Sequence, residues 1–489
     1  MDSEAYQLAL YTQGQYRGTS VSCRYALSQR LDDVELRRTV TAAIAQTILQ
    51  HPTLQAGIIN ADSKKPTWVK LERLNMKNHI SWRCLGASDF ETSFQEIVIS
   101  QLDATFPELE TQPGWHIVIM HKQQPDFLEI LFTWNHPHGD GMSGKKFHED
   151  LHQNLIHTKM NEVDEFLLPE GILKLPESMP NFPPPIEDLV KLPITPVYTL
   201  KALWKEYGPI VLNKDPSQAH WAPIRTSPYK TQFRVFSVEN AVLSKVLAVC
   251  RQKKTTLTGL FQGLAVVSLV SRLDPDIASA LSTKTAVDQR RFLTSGPDKY
   301  PWLVPERTIG NYVTVFGHHW SADLLAKVRT NLPATTKTEP LSEELLDQVW
   351  FISAKARQEV HNRLDMGVKN DIVGLMRFVG DWRTQAIDTA KKPREYSVFI
   401  TNLGGIGQAN QPALSSSSEQ DGGWSISRAQ FSLSAEVTSA ALMISIMSAV
   451  GGQLCVGVTW QDCVMSTAMG EGFFDDLRRW FTQIGGSTE

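Results

Sequence analysis

Residues 127–157 read FLEILFTWNHPHGDGMSGKKFHEDLHQNLIH, three kinds of sequence in one stretch. Phe127–Trp134 is a nearly continuous apolar and β-branched run, suited to a central strand buried on both faces. Asn135–Gly144 is a loop rich in glycine. After it Phe147, Leu151 and Leu155 recur four apart, the spacing that gathers them on one face of a helix. Strand, loop and helix in succession predict a sheet with helices packed on it, and His136 emerges at the strand end, where a side chain is well held.

The flanking sequence extends the pattern. Val21–Leu27 reads as a strand, and Asp32–Gln50 as an amphipathic helix with Val34, Leu36, Val40, Ile44 and Ile48 on one side, stopped by His51-Pro52. Trp68–Leu71 and Trp115–His121 are further strand candidates. Between Pro169 and Pro228 lie twelve of the chain's 26 prolines, so this stretch is a linker with one helix near Pro196–Tyr207. A second unit opens with the strand-like Gln232–Val238. Helices follow from Asn240 and from Thr256 to about Arg272, then strands at YSVFITNLGG, ALMISIMSAVGG and QLCVGVTW, with Gly451-Gly452 as a hairpin signal. Phe473–Ile484 closes as a helix. The predicted architecture is α+β: an N-terminal lobe over 1–190, a proline-rich crossover over 191–230 and a C-terminal lobe over 231–489.

Length and composition narrow the function. With 489 residues the chain exceeds one compact core, at about 150 residues per domain. Lys+Arg 48 against Asp+Glu 52 leaves a net charge of −4, which argues against nucleic acid as a partner and against a polybasic membrane anchor. The five cysteines are scattered and form no CxxC pair, so a reducing compartment is expected. The first residues lack the basic start and apolar core of a signal peptide, and no apolar run is long enough to span a bilayer. A cytoplasmic monomer without a membrane span is the expectation.

Two chemical patterns overlap in residues 136–152: His136-Pro-His-Gly-Asp140-Gly141, an HxxxDG, and His148-Glu149-Asp-Leu-His152, an HExxH. On a helix, HExxH sets two imidazoles on one face with Glu149 as the base of a zinc hydrolase. The third ligand is missing, however, since no glycine-spaced histidine follows and Glu170 and Glu177 fall in the linker. Phe147, Leu151 and Leu155 mark the buried stripe, so His148 and His152 are expected on its flank, partly exposed, and no metal is expected. His136-x-His138-x-Asp140 resembles the start of the metallo-β-lactamase ligand set but has Gly141 where another ligand is needed. HxxxDG places a base at a strand end, with Asp140 folding back to anchor the loop and Gly141 supplying a backbone conformation other residues resist. By itself it fits a structural turn equally well.

NHPHGDGMSGKKFHEDL resembles the core motif of fungal alcohol acetyltransferases, members of the HxxxD superfamily that includes plant BAHD enzymes, carnitine and chloramphenicol acetyltransferases and peptide-synthetase condensation domains. LDDVELRRTVTAAIAQTILQHPTLQAGI, TTLTGLFQGLA, TAVDQRRFL, ITNLGGIG and SAVGGQLCVGVTWQD resemble the same family in the same order, over nearly the whole chain. Asn135-His136 replaces the paired histidines of condensation domains, and no DFGWG segment of the plant type is present. The resemblance implies two chloramphenicol-acetyltransferase-like lobes with the active site in a tunnel between them. It further implies an acyl-CoA, acetyl-CoA above all, as co-substrate with no bound cofactor, and a small-molecule acceptor of secondary metabolism.

On that resemblance His136 is the general base. Asp140 pairs structurally with an arginine, Arg290 first and Arg291 second, and Asn402 or Gln430 are candidates for the oxyanion. Ser143 is read as a helix cap, not a nucleophile. A net charge of −4 leaves recognition of CoA phosphates to a local cluster, and Arg251-Gln-Lys253-Lys254 ahead of Thr255-Thr256 is the densest. Lys253, Lys254 and Thr256 are therefore the candidate donor site. The competing readings are the same fold with other chemistry (N-acylation, a carrier-bound substrate, cyclisation or non-catalytic binding) and the zinc hydrolase.

Overall fold

The computed structural model describes residues 2–27, 31–157, 166–178, 181–208, 215–333, 340–407 and 423–486. The strands in chain order are β1 Gly18–Leu27, β2 Ala56–Ile59, β3 Thr67–Lys70, β4 Arg73–Asn75, β5 Ile80–Cys84, β6 Trp115–His121, β7 Phe127–Asn135 and β8 Ile172–Lys174. In the second half come β9 Thr231–Val238, β10 Leu281–Asp288, β11 Val313–Trp320, β12 Val398–Ile406, β13 Trp424–Leu433, β14 Leu442–Ala449 and β15 Leu454–Gln461. The main helices are α1 Asp2–Thr12, α2 Asp33–Gln50, α3 Phe90–Leu102, α4 Gly141–His157, α5 Pro196–Tyr207, α6 Asn240–Gln252, α7 Leu257–Val270, α8 Ala322–Thr330, α9 Glu343–Asp365, α10 Trp382–Thr389 and α11 Thr467–Ile484.

Two sheets carry the structure. The first has the order β13-β1-β7-β6-β5 and the second β11-β10-β12-β14-β15-β9; β2–β3 and β4–β8 form short ribbons. The apolar run Phe127–Asn135 is β7, flanked by β1 and β6, and it is buried from Leu128 onward. The lobe boundary expected at residue 231 follows the chain but not the sheets. Strand β13 crosses back and pairs antiparallel with β1, placing Phe431 opposite Val21. The linker holds the anticipated helix, α5, and residues 209–214 within it lie outside the described residues. Helix α11 starts at Thr467, earlier than expected, because Ser466 caps it by accepting from the Met469 N–H.

In the second sheet side chains alternate between two layers. Val398, Ile400, Leu442, Ile444 and Ile446 face a core built with Leu260, Phe261 and Leu264 of α7 and Val349 and Ile352 of α9. Leu403, Met443 and Met447 face the other way, into a core shared with Val21, Phe132, Trp134 and Phe147. That second core joins the two halves of the molecule.

Helix α4 lies tight against β7 and β1 because of Gly144, where a Cβ would land on the Trp134 ring and within 2.8 Å of a Val21 methyl. Gly144→Ala is expected to lower stability by about 1–3 kcal/mol through overpacking, measured as a drop in the urea midpoint with an unchanged m-value.

Candidate active site

His136 stands at the end of β7, in a short 3-10 turn that continues the strand, and Asp140 precedes α4. Both meet residues from the second half of the chain. Asp140 is 1% exposed and forms a two-pronged ion pair with Arg290, at 2.7 Å from Oδ2 and 3.1 Å from Oδ1. The Tyr312 N–H donates to Oδ2 at 3.0 Å, and the N–H and hydroxyl of Ser143 donate to Oδ1 at 3.0 and 2.9 Å. Arg290 is equally saturated, donating also to Asp288 Oδ1 (3.1 Å) and to the carbonyls of Thr308 (3.1 Å) and Gly310 (3.0 Å). Burial pushes the Asp140 carboxyl up, but the Arg290 charge and this shell of donors outweigh it and hold the group below 3.8. The pair is charged and fully hydrogen-bonded.

Two sequence expectations change here. The carboxylate of Asp140, not Ser143, caps the first turn of α4; Ser143 instead bridges Asp140 and the Gly310 backbone. Gly141 has no left-handed backbone. A Cβ there would sit 3.0 Å from Phe431 and 3.1 Å from Leu403, so the glycine allows close approach of the two sheets.

Asn311, 175 residues downstream, fixes the state of His136. Its Nδ2 donates to the carbonyls of His136 and Pro137, both at 3.0 Å. The amide oxygen therefore faces His136 Nδ1, 3.0 Å away, and only a protonated Nδ1 can donate to it. The imidazole is held as the Nδ1–H tautomer, and its Nε2 hydrogen-bonds no described group. Burial pushes the pKa of His136 below 6.5, against the weaker opposing charges of Asp140 and Glu436. A neutral imidazole whose Nε2 bonds no described group keeps the lone pair that a general base requires. Tyr16 borders it, ring centroids 5.6 Å apart. Sequence reading missed Asn311, Tyr16 and Glu436, and no local pattern marks any of them.

His138 has a different part. It is buried, bonded to Asn135 Oδ1 at 2.5 Å and near the Gly114 N–H and Ala56 carbonyl, and burial lowers its pKa to about 4. The HExxH histidines are buried as well, not flanking and half-exposed as expected. His148 is engaged at Nε2 by the Val21 carbonyl (3.0 Å) and at Nδ1 by the Tyr25 hydroxyl (2.9 Å). His152 Nε2 meets the Trp424 carbonyl, and Glu149 pairs with Lys146. The helix turns this face onto β1 and β13, and the imidazoles bond the sheet where a zinc site would need them to converge.

The other candidates are dispersed. Asn402 donates from Nδ2 to Thr258 of α7 (3.1 Å) and accepts from the Gly404 N–H (2.8 Å), on the helix-covered face of the second sheet. Gln430 faces α3, bonded to Gln95 and Ser432. Neither is hydrogen-bonded to His136. Lys253 and Lys254 are exposed in the turn between α6 and α7, with Lys254 in the left-handed region (φ 54°). Thr256 caps α7 by accepting from the Gly259 N–H (3.1 Å), whereas Thr255 is buried and donates to the Ser353 carbonyl (2.7 Å). Arg291 belongs to the same short turn as Arg290; it is Arg290 that meets Asp140.

Residues 88–304 match the family model of alcohol acetyltransferases. The chain is 26% identical over 454 residues to a probable alcohol acetyltransferase of Fusarium pseudograminearum, covering 91% of this chain and 86% of that one. It is 23% identical over 489 residues to a probable alcohol acetyltransferase of Aspergillus fumigatus, covering 97% and 96%. Among solved structures, a trichothecene 15-O-acetyltransferase from Fusarium sporotrichioides superposes with a TM-score of 0.71 at 12% identity, over 99% of this chain and 94% of that one. The first condensation domain of a calcium-dependent antibiotic synthetase gives 0.59 at 12% identity, over 99% and 94%. The resemblance to alcohol acetyltransferases and the chloramphenicol-acetyltransferase-like fold are borne out, and the chain is an acyltransferase.

Removing Asp140 strands a buried guanidinium, and removing Arg290 strands a buried carboxylate. Either alanine variant is expected to lose about 3–5 kcal/mol, and the double variant distinctly less than the sum, as read by chemical denaturation.

Proposed function

We propose that this chain transfers an acyl group, acetyl in the first place, from acyl-CoA to a hydroxyl of a small-molecule acceptor, with His136 as general base. The observation that carries this reading is the Nδ1–H tautomer imposed by Asn311, which leaves Nε2 unprotonated and unengaged. His136 Nε2 takes the acceptor's hydroxyl proton as the oxygen attacks the thioester carbonyl. The tetrahedral intermediate collapses by breaking the carbon–sulfur bond, and the proton passes from His136 to the departing sulfur. No acyl-enzyme is needed, in keeping with Ser143 being bound to Asp140 and Gly310. General-base help of this kind contributes about 10²–10⁴-fold.

The Asp140–Arg290 pair acts through position. It fixes the turn that presents His136 and ties it to the 308–312 segment bearing Asn311. For the acceptor, a cavity of about 270 Å³ bordered by Leu8, Ile58, Trp68, Pro137 and Trp382 is the candidate chamber, since Pro137 adjoins the base. For the donor, Lys253, Lys254 and the capped start of α7 are the candidate phosphate contacts; Thr255, bonded to Ser353, takes no part.

His136→Ala is expected to lower kcat by at least the general-base factor while the circular dichroism spectrum stays that of the wild type. Because the folded pKa of His136 lies below 6.5, kcat/KM should be level across neutral pH. It should fall only as acidification protonates Nε2, with its midpoint below that value. A midpoint above it, or activity retained in the alanine variant, refutes His136 as the base.

Lys253→Ala with Lys254→Ala is expected to raise KM for acetyl-CoA and leave kcat nearly constant, because a remote phosphate contact is alike in ground and transition states. A truncated thioester without the nucleotide should be indifferent to the change. An unaltered KM at low ionic strength would remove this cluster from the donor site.

A further inference from the structure

Helix α5 is folded with its apolar side outward. Tyr198, Thr199, Ala202 and Glu206 form its half-buried inner face. Val197, Leu200, Leu203, Trp204 and Tyr207 stand 46–76% exposed along a single stripe. The helix is held this way round by polar contacts: the Thr195 N–H donates to Asn370 Oδ1 at 2.8 Å, and Glu206 accepts from Lys392 and, at 2.7 Å, from Gln385 of α10. Those contacts also set α5 beside the 366–378 segment and α10, where Met366, Ile372, Phe378 and Ile387 are exposed too. Nine of the fourteen large apolar side chains exposed among the described residues thus gather on three adjoining elements. Single exposed apolar residues are ordinary; a cluster of this kind marks a docking surface.

Its charge identifies the partner. Four acids of this region are paired with lysines: Glu206 with Lys392, Glu395 with Lys205, Asp388 with Lys391 and Asp381 with Lys64; Asp365, beside Met366, has His361 at 3.6 Å. Lys191, Lys201, Lys369 and Arg377 are exposed and form no ion pair with a described residue. A chain of net charge −4 therefore carries a locally cationic, apolar face, with Trp204 and Tyr207 on the stripe and Lys201 at its flank. Aromatic residues settle at the headgroup level of a bilayer, and lysines reach its phosphates beside a buried apolar stripe.

We infer that α5, with the exposed apolar side chains of 366–378 and α10, docks this protein on an anionic lipid surface. Helix α5 lies in the plane of the headgroups without crossing them, and no helix among the described residues is long and apolar enough to cross. The position suits the chemistry. Phe378 adjoins Val379 and Gly380, which with Trp382 border the cavity that Pro137 borders beside His136, so an apolar alcohol partitioned into lipid stands close to the acceptor chamber.

The test is flotation of the full chain with phosphatidylcholine vesicles, with and without phosphatidylserine. The chain should float with the phosphatidylserine vesicles and be released by salt. Lys201→Gln and Arg377→Gln should each lower partitioning about fivefold. Leu200→Ser with Leu203→Ser should abolish it at low salt, with the circular dichroism spectrum and turnover of a water-soluble alcohol unchanged. Failure of the wild type to float, or equal flotation of wild type and the serine variant, would overturn the inference. A dimer in light scattering that the serine variant dissolves would overturn it as well, by assigning the face to a second copy of the chain. Vesicle binding does not depend on turnover, so this outcome is independent of the role given to His136.

Discussion

The carboxylate of Asp140 and the guanidinium of Arg290 are 150 residues apart along the chain and 2.7 Å apart in the fold, with both side chains almost wholly out of water. Such a pair is tolerable only when nearly every lone pair and N–H is met, because desolvating two charges costs several kcal/mol per ion. The surroundings meet that demand with backbone. The Tyr312 N–H and the carbonyls of Thr308 and Gly310 converge on it from the second half, and the first turn of α4 from the first half. The 308–312 segment is held in place by the same bonds, and it carries Asn311, which selects the tautomer of His136. The tautomer of His136 thus depends on an ion pair that does not touch its ring.

That pair works within a hydrophobic joint. The face of the second sheet carrying Leu403, Met443 and Met447 shares a core with Phe132, Trp134 and Phe147 of the first half. Strand β13 carries the joint further, pairing with β1 although it belongs to the C-terminal sequence. Apolar burial is non-directional and brings the halves together; the ion pair and the Asn311 amide, which are directional, set their register to hydrogen-bond accuracy. Gly141 matters for the same reason, since a methyl group there would press on Leu403 of the second sheet and Phe431, while Gly144 lets α4 close onto its own sheet.

The histidines show how burial sorts residues of one chemistry. His138 and His148 are buried with both ring nitrogens engaged, and burial lowers each pKa to about 4, so they are neutral structural bonds between elements. His136 is half-buried, engaged on one nitrogen only and held neutral by its surroundings. Of these three, it alone keeps a ring nitrogen that bonds no described group.

Much of this was legible from local sequence. Phe127–Trp134 is apolar at every position but Glu129 and Thr133, which suits an interior strand, and the four-residue spacing after the glycine loop suits a helix. His136, Asp140 and Arg290 were legible through motif resemblance, since they lie in the short words NHPHGDG and DQRRF that resemble the family's motifs. Only tertiary structure decided the rest. The interlobe geometry brings Asn311 to His136 across 175 residues, and nothing near Asn311 in the chain announces it. Strand alternation turns Asn402 toward α7 and Gln430 toward α3, and which face of a strand becomes the interlobe face is settled by packing. The periodicity of Pro196–Tyr207 foretold a helix but not its orientation, because the polar contacts of Thr195 and Glu206 that turn its apolar stripe outward come from residues far along the chain. Local sequence determines what an element is, since the forces that form it act over one or two turns. Long-range packing determines which way it faces, and the site is made of facing.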